Sequence, residues 1–430
     1  MNSASRPKCH AASKRGRRMT ASHRKNIAEI LGRGSVHPFP ARMSPGIAIA
    51  ALKEQKKNAV VADPMMGSGT VLAIARSMGH RTVGVDLDPL AVLISKVWTT
   101  PIESSSLKTK GSEVLKRAKL YATKLRIRDA YPVGADAETK KFIRYWFDAH
   151  ARRQLCALAV SISRVHELNL RNALWCAFSR LIITKQSGAS LAMDLSHSRP
   201  HRAFSSAPTK PFSKFIDAVA TVTASSPQKG SSNLGPRARI ERGDARELPI
   251  KSGSVDLVLT SPPYLNAIDY MRCSKFSLVW MGYTTAELRS LRGVSVGTEV
   301  SLSANETSPH VQEIAAKLNL RPKLKSRDAA ILARYIHDRN CAVSEVARVL
   351  APDGKAVYVI GNSSVRGTFV RNSSVLEAVA KRNGLRLVAK RSRSLPPNRR
   401  YLPPPTYRKS GHTFQTRMAQ EVVLAFKHAP

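Results

Sequence analysis

The sequence predicts an α/β fold, a seven-stranded, mostly parallel sheet carrying one large helical insertion. Three observations carry this reading. A strand, glycine turn, helix, strand unit occupies residues 58–88. A second series of short apolar strands, separated by helices, begins at residue 238. Between them, residues 104–127 and 136–185 space their apolar side chains as helices do.

Taken in order, residues 1–30 are basic and lack an apolar run, and read as a flexible arm. HPFPARMSP (His37 to Pro45) leads into an apolar helix. NAVVA (58–62) is a strand pattern running into DPMMGSGT, and residues 70–78 are a helix that Gly79 ends. RTVGV (81–85) is the second strand and closes in DLDP. This is the opening half of a Rossmann-like, doubly wound sheet. The domain reading is an arm (1–30), a first half-domain (31–100), a mainly helical insertion and linker (101–238) and a second half-domain (239–430). In the insertion, WFDAHARRQLCALAVSI and LRNALWCAFSRLIIT are amphipathic helices, while the Ser/Pro/Lys-rich stretch up to Pro236 reads as loop. The remaining strands are ARIERGD, SVDLVLT, residues 355–362, 385–390 and 421–427, with helices at 328–350 and 374–383.

The charge narrows the partners. Seventy Lys and Arg stand against 29 Asp and Glu, a net +41, spread along the chain. Such an excess repels itself and attracts polyanions: DNA, RNA or an anionic membrane surface. No apolar run is long enough to span a bilayer, and the leader has no secretory core. The five cysteines form no C-x-x-C pair, so neither a structural metal nor a disulfide framework is expected.

The chemistry-bearing residues cluster at strand ends. Gly67, Ser68 and Gly69 follow a strand and open a helix, where glycine lets the backbone approach a ligand and free N–H groups face it. No Gly-Lys-Ser/Thr follows, which excludes a P-loop. Asp63 ends the first strand, where a ligand amino group would lie. Asp86 ends the second, placed to accept from ribose hydroxyls, and Asp244 ends the third, placed to accept from an adenine amine. Each alone reads more readily as a loop-capping aspartate. Together they outline a nucleoside crevice. Thr260-Ser261-Pro262-Pro263-Tyr264 ends a buried strand in a rigid turn. Its carbonyls and Ser261 can accept amine hydrogens, and Tyr264 can stack on a flat base.

These motifs together resemble the S-adenosylmethionine (AdoMet)-dependent amino-methyltransferases of DNA. DPMMGSGT (Asp63, Pro64, Met65, Met66, Gly67, Ser68, Gly69, Thr70) is similar to that family's DPF-x-GSGT cofactor loop, with Met65 for the usual Phe. VGVDLDP and GDARELP resemble its next two motifs, TSPPY its catalytic motif, and HPFPARMSP the segment that closes over the cofactor. The resemblance covers about residues 36–100 and 238–430. It departs in order: many members with SPPY place that motif before the cofactor loop, whereas here the loop comes first. That order also occurs in the family and among tRNA amino-methyltransferases.

The resemblance implies a class I AdoMet methyltransferase fold, AdoMet as cofactor and no metal. AdoMet would be held by Asp63, Pro64, Gly67, Ser68, Gly69, Thr70, Asp86 and Asp244, with Phe39 helping to close the pocket. The base would flip into the site, with Ser261, Pro262, Pro263 and Tyr264 as the catalytic turn. SPPY favours cytosine-N4 over adenine-N6. The implied setting is cytoplasmic and nucleoid-associated, with DNA as partner and a restriction endonuclease as a further one. An RNA enzyme and a catalytically silent nucleic-acid-binding protein are the alternatives. The insertion is the candidate for target recognition. Cys273, Trp146, Trp175 and Trp280 read as packing residues, His37 as a loop residue, and Asn398 to Tyr401 as a basic loop facing DNA or solvent.

Overall fold

The computed structural model describes residues 26–40, 42–185, 187–193, 195, 200–230, 235–265, 269–298, 309–318, 326–365, 368–395 and 420–430. The first 25 residues of the basic arm, Cys9 and the loop Asn398 to Tyr401 lie outside them. The end of the expected flexible arm is instead a short helix, α1 (Ile27–Leu31). Asn26 and Glu29 form a capping box, Gly32 ends the turn with φ +66°, and Ile27, Ile30 and Leu31 pack on the core. Local capping and apolar anchoring thus outweigh the arm's basic composition.

Along the chain follow α2 (Pro45–Leu52), β1 (Val60–Asp63), α3 (Thr70–Ser77), β2 (Arg81–Asp86) and α4 (Pro89–Thr99). The helical segment is α5 (Ser104–Lys124), α6 (Ala137–Trp146), α7 (Ala149–Ser163), α8 (Leu168–Ile182) and α9 (Pro211–Ser225). Then come β3 (Arg239–Arg242), β4 (Val255–Thr260), α10 (Tyr270–Leu278), α11 (Thr285–Val294), α12 (Pro309–Lys317) and α13 (Ser326–Val349). The chain closes with β5 (Leu350–Gly361), β6 (Ser363–Val365), β7 (Thr368–Val370), α14 (Asn372–Arg382), β8 (Leu385–Ser394) and β9 (Gln420–His428).

Seven strands form one sheet in the order β3-β2-β1-β4-β5-β9-β8. The first five are parallel, and β9 runs antiparallel between β5 and β8. This is the class I methyltransferase sheet. Alternation along the strands loads both faces. Val258, Tyr358, Ile360 and Leu424 pack on the side of α13 and α14; Val61, Leu257, Leu259, Val357 and Val359 pack on the side of α2 and α3. Buried on both sides, the central strands read in sequence as near-continuous apolar runs.

One expected loop is a helix. α9 lies within the Ser/Pro/Lys-rich stretch, with Pro211 in its first turn. Phe215, Val219 and Val222 recur at helical spacing and are buried against the core of the insertion. Most of the stretch's Ser and Pro residues lie on its flanks. The chain leaves the sheet and returns at one place: Ile102 N–H donates to the Pro227 carbonyl at 3.0 Å, beside a bridge between Ile102 and Gln228. The helices α5–α9 share one core with α4 and α10, centred on Trp98, Phe147, Phe178, Phe215, Phe276 and Trp280. Trp280 and Cys273 are buried, and Trp146 and Trp175 are half-buried on the same core. Among the described residues no helix is long and apolar enough to cross a membrane.

Candidate active site

The strand order reverses between β1 and β4. The chain winds outward from β1 to β3, then returns to place β4 on the other side of β1. A crevice opens beyond the carboxyl ends of strands at such a reversal, and ligands of open α/β sheets bind there. The glycine loop follows β1 and the TSPPY turn follows β4, so topology brings the two motifs to one crevice.

The glycine loop is tightly built. Gly67 and Gly69 have φ of +49° and +77°. A Cβ on Gly69 would stand 2.7 Å from Ser95 Oγ, and one on Gly67 would stand 3.3 Å from the Phe39 ring. Ser95 donates to the Gly67 carbonyl at 3.0 Å, and the buried Ser68 and Thr70 hydroxyls are 3.2 Å apart. Pro64 is buried behind them. Gly69 caps α3, so the first N–H groups of that helix face the loop. Gly69→Ala combines a left-handed backbone with a clash. It is expected to cost about 1–2 kcal/mol of stability and to remove the thermal stabilisation that AdoMet gives, read from melting curves with and without ligand.

Two carboxylates line the loop. Asp86 receives N–H bonds from Gly67 (2.8 Å) and Asp88 (2.9 Å), and Asp63 one from Met65 (3.2 Å). Burial pushes each carboxyl up to about 7; Asp86 adds to the rise at Asp63, and Asp88 to the rise at Asp86. Among the described residues neither has a Lys or Arg within salt-bridge distance, in a chain of net charge +41. Two acids without a basic partner among the described residues, Asp63 buried and Asp86 half-buried beside a glycine cradle, suit a cationic, nucleoside-bearing ligand, and AdoMet, with its sulfonium and ammonium, fits them.

Asp244 differs from expectation. Arg246 engages both of its oxygens, Nε to Oδ1 at 3.0 Å and Nη2 to Oδ2 at 2.6 Å, and also bonds Asp338 at 2.6 Å. Burial works against the charge of Asp244, but the Arg246 contacts together outweigh it and hold the carboxyl below its ordinary range. An adenine amine would share an acceptor already in use. The arginine two residues later in GDARELP was the available signal.

In the TSPPY turn, Ser261 Oγ donates to the Val359 carbonyl at 3.1 Å, which leaves its oxygen lone pairs as acceptors. Pro262 is buried, and Pro263 and Tyr264 are half-buried. Burial, followed by the charge of Glu421, raises the Tyr264 phenol well above its usual value, so it stays neutral. Phe39 reaches Gly67 from one side and stacks on Tyr270 from the other, with ring centroids 5.5 Å apart and planes within 8°. Sequence reasoning missed Tyr270; its signal was a second aromatic six residues beyond Tyr264.

His37 is a loop residue, between α1 and α2, and it is turned inward. It is buried, with Nε2 2.9 Å from Ser179 of α8, and Ser179 in turn 2.8 Å from Ser277 of α10. Burial, then Arg180 and Arg42, lowers its pKa well below the usual value. A neutral imidazole pins the His37–Pro45 segment to the helices. Ser274 of α10 donates to Asp88 at 2.5 Å, tying the same helix to the end of β2. Among the described residues no group of His, Cys, Asp and Glu is placed to hold a metal.

Sheet order and crevice thus define a class I methyltransferase architecture. Comparison with known proteins agrees with the motif resemblance. The chain is similar to the type II methyltransferase M.MvaI of Kocuria varians, with 24% identity over 91% of this chain and 90% of that protein. It is also similar to the type II methyltransferase M.MjaII of Methanocaldococcus jannaschii, with 26% identity over 28% of this chain and 23% of that one. Among solved structures, a putative DNA modification methylase from Thermus thermophilus, complexed with S-adenosyl-L-methionine, matches at 16% identity, covering 44% of this chain and 54% of that one with a TM-score of 0.22. No family model matches.

Proposed function

We propose that this chain transfers a methyl group from AdoMet to the exocyclic amine of a DNA base flipped into the crevice, cytosine-N4 in preference to adenine-N6. The observation that carries the reading is the union of glycine loop and TSPPY turn at the β1/β4 reversal. Similarity to M.MvaI along nine-tenths of both chains supports it, and the net charge of +41 supports a polyanionic substrate.

An exocyclic amine is a weak nucleophile because its lone pair is delocalised into the ring. AdoMet supplies an electrophilic methyl group. The chain's own residues supply placement. Asp63, Asp86 and the glycine loop hold the cofactor end of the crevice. Ser261 Oγ and the Pro262 carbonyl accept the amine hydrogens, which favours a tetrahedral nitrogen with its lone pair free. Tyr264 stacks on the base, and the Phe39–Tyr270 pair closes the crevice against water. Positioning and oriented dipoles then lower the barrier; as the amine gains the methyl it gives up one N–H proton to solvent past Ser261 Oγ and the Pro262 carbonyl, a neutral thioether is the leaving group, and no covalent enzyme intermediate is needed. The helices α5–α9 are the proposed target-recognition element, and a companion restriction endonuclease is the proposed partner.

The test is incubation with labelled AdoMet and, separately, unmethylated DNA and bulk tRNA, followed by nucleoside mass spectrometry. N4-methylcytosine in DNA is the expected product, and N6-methyladenine would correct the base. Label in tRNA alone would overturn the choice of polymer, and label in neither would return the silent-binder alternative.

A further inference from the structure

We propose that Arg339, on α13, is a positioning residue that locks the TSPPY turn in its working shape; this rests on the reading of that turn as catalytic. Arg339 is 1% exposed. Its Nη2 donates to the Pro263 carbonyl at 2.6 Å and to the Tyr335 hydroxyl at 3.0 Å, and its guanidinium lies over the Tyr335 ring, 4.9 Å from the centroid. Nε and Nη1 are buried with no hydrogen-bond partner among the described residues. No carboxylate among the described residues balances the charge. Asp338, next in sequence, gives its oxygens to Arg246 at 2.6 Å and Arg334 at 3.5 Å. The Tyr358 hydroxyl, also buried and without a hydrogen-bond partner among the described residues, feels the same cation.

A buried, unbalanced charge is costly, and an apolar side chain of similar volume would serve packing better. What the arginine adds is a charge-assisted hydrogen bond to one backbone carbonyl. That carbonyl belongs to the planar peptide unit joining Pro263 to Tyr264. The proline rings fix φ at 262 and 263. Much of the turn's remaining freedom is the rotation of this peptide plane, which sets where Tyr264 leaves the turn. Arg339 holds that plane from beneath and so aims the ring that would stack on the base. It touches neither cofactor nor base, and the cofactor loop on β1 does not depend on it.

The test uses the full chain with Arg339→Met, Arg339→Lys and Tyr335→Phe. Melting, AdoMet titration and single-turnover methyl transfer at saturating DNA are measured together. Arg339→Met is expected to melt at or above the wild-type temperature, to bind AdoMet unchanged, and to transfer methyl about 10- to 100-fold more slowly. Arg339→Lys restores part of the rate, and Tyr335→Phe loses a few-fold with unchanged melting. A wild-type rate in Arg339→Met overturns the proposal, as does a rate lost in step with melting temperature and AdoMet affinity, which would mark a scaffold role. If Arg339→Met does not fold, wild-type rates in both other variants overturn it. Absence of transfer by the wild-type chain would instead overturn the catalytic reading of the turn.

Discussion

Tyr264→Ala is expected to slow methyl transfer about 10- to 100-fold while leaving AdoMet affinity unchanged. Stacking of a base on an aromatic ring is worth roughly 1–3 kcal/mol, and each 1.36 kcal/mol is tenfold in rate. The ring stands on the turn after β4, whereas the cofactor cradle stands on β1 and β2, so the two functions separate on the sheet. Tyr264→Phe keeps the stacking face and is expected to stay within about threefold of wild type, because the phenol, held in its protonated form, is too weak an acid to enter proton transfer at working pH. Single-turnover rates and AdoMet titrations on the three proteins check this. If AdoMet binding falls with Tyr264→Ala, the ring lines the cofactor pocket and the base lies elsewhere. Gly69→Ala is the complementary lesion, since it attacks the cradle and leaves the turn intact.

Much of this site was legible in the sequence because its parts are backbone devices. A strand buried on both faces must be an apolar run; a loop with left-handed backbone favours glycine; a strand stopped by two prolines cannot continue its ladder. Gly67, Gly69, Pro262 and Pro263 were readable for those reasons, and so was the sheet. What was not readable depends on side chains meeting across the fold. On α13 Arg339 falls at helical spacing on the apolar stripe of Leu332, Tyr335, Ile336, Val343 and Val346, which marks it as buried, but nothing in that pattern shows that it reaches the Pro263 carbonyl. Asp244 occupies the strand-end position of a ligand acceptor, yet its oxygens are held by Arg246. The helix α9 was hidden because its Ser- and Pro-rich flanks dominate the composition of a window that also holds Phe215, Val219 and Val222.

AdoMet should bind more weakly as the pH falls below neutrality, with Asp63 and Asp86 as the cause. Burial raises both carboxyls from an ordinary value of 3.8 to about 7. Without ligand the sign is unfavourable to the charged forms. The stability these groups contribute is full below about pH 4, where folded and unfolded chains alike are protonated, and is lost as pH rises through 7. A bound sulfonium and ammonium reverse the local balance, because a positive charge nearby favours the carboxylate. Binding below pH 7 must therefore expel protons, and affinity falls by up to about tenfold per pH unit for each proton linked. From pH 7.5 to 5.5 a loss of about 25-fold is expected for one proton released by a group that titrates near 7. Asp63→Asn keeps the shape, removes one titrating group and flattens the dependence. Calorimetric titrations in buffers of differing ionisation enthalpy measure affinity and proton release together. A flat affinity from pH 5.5 to 7.5 would mean that the cationic groups of AdoMet lie away from both carboxylates, and that the pair is ionised or protonated alike with and without the cofactor.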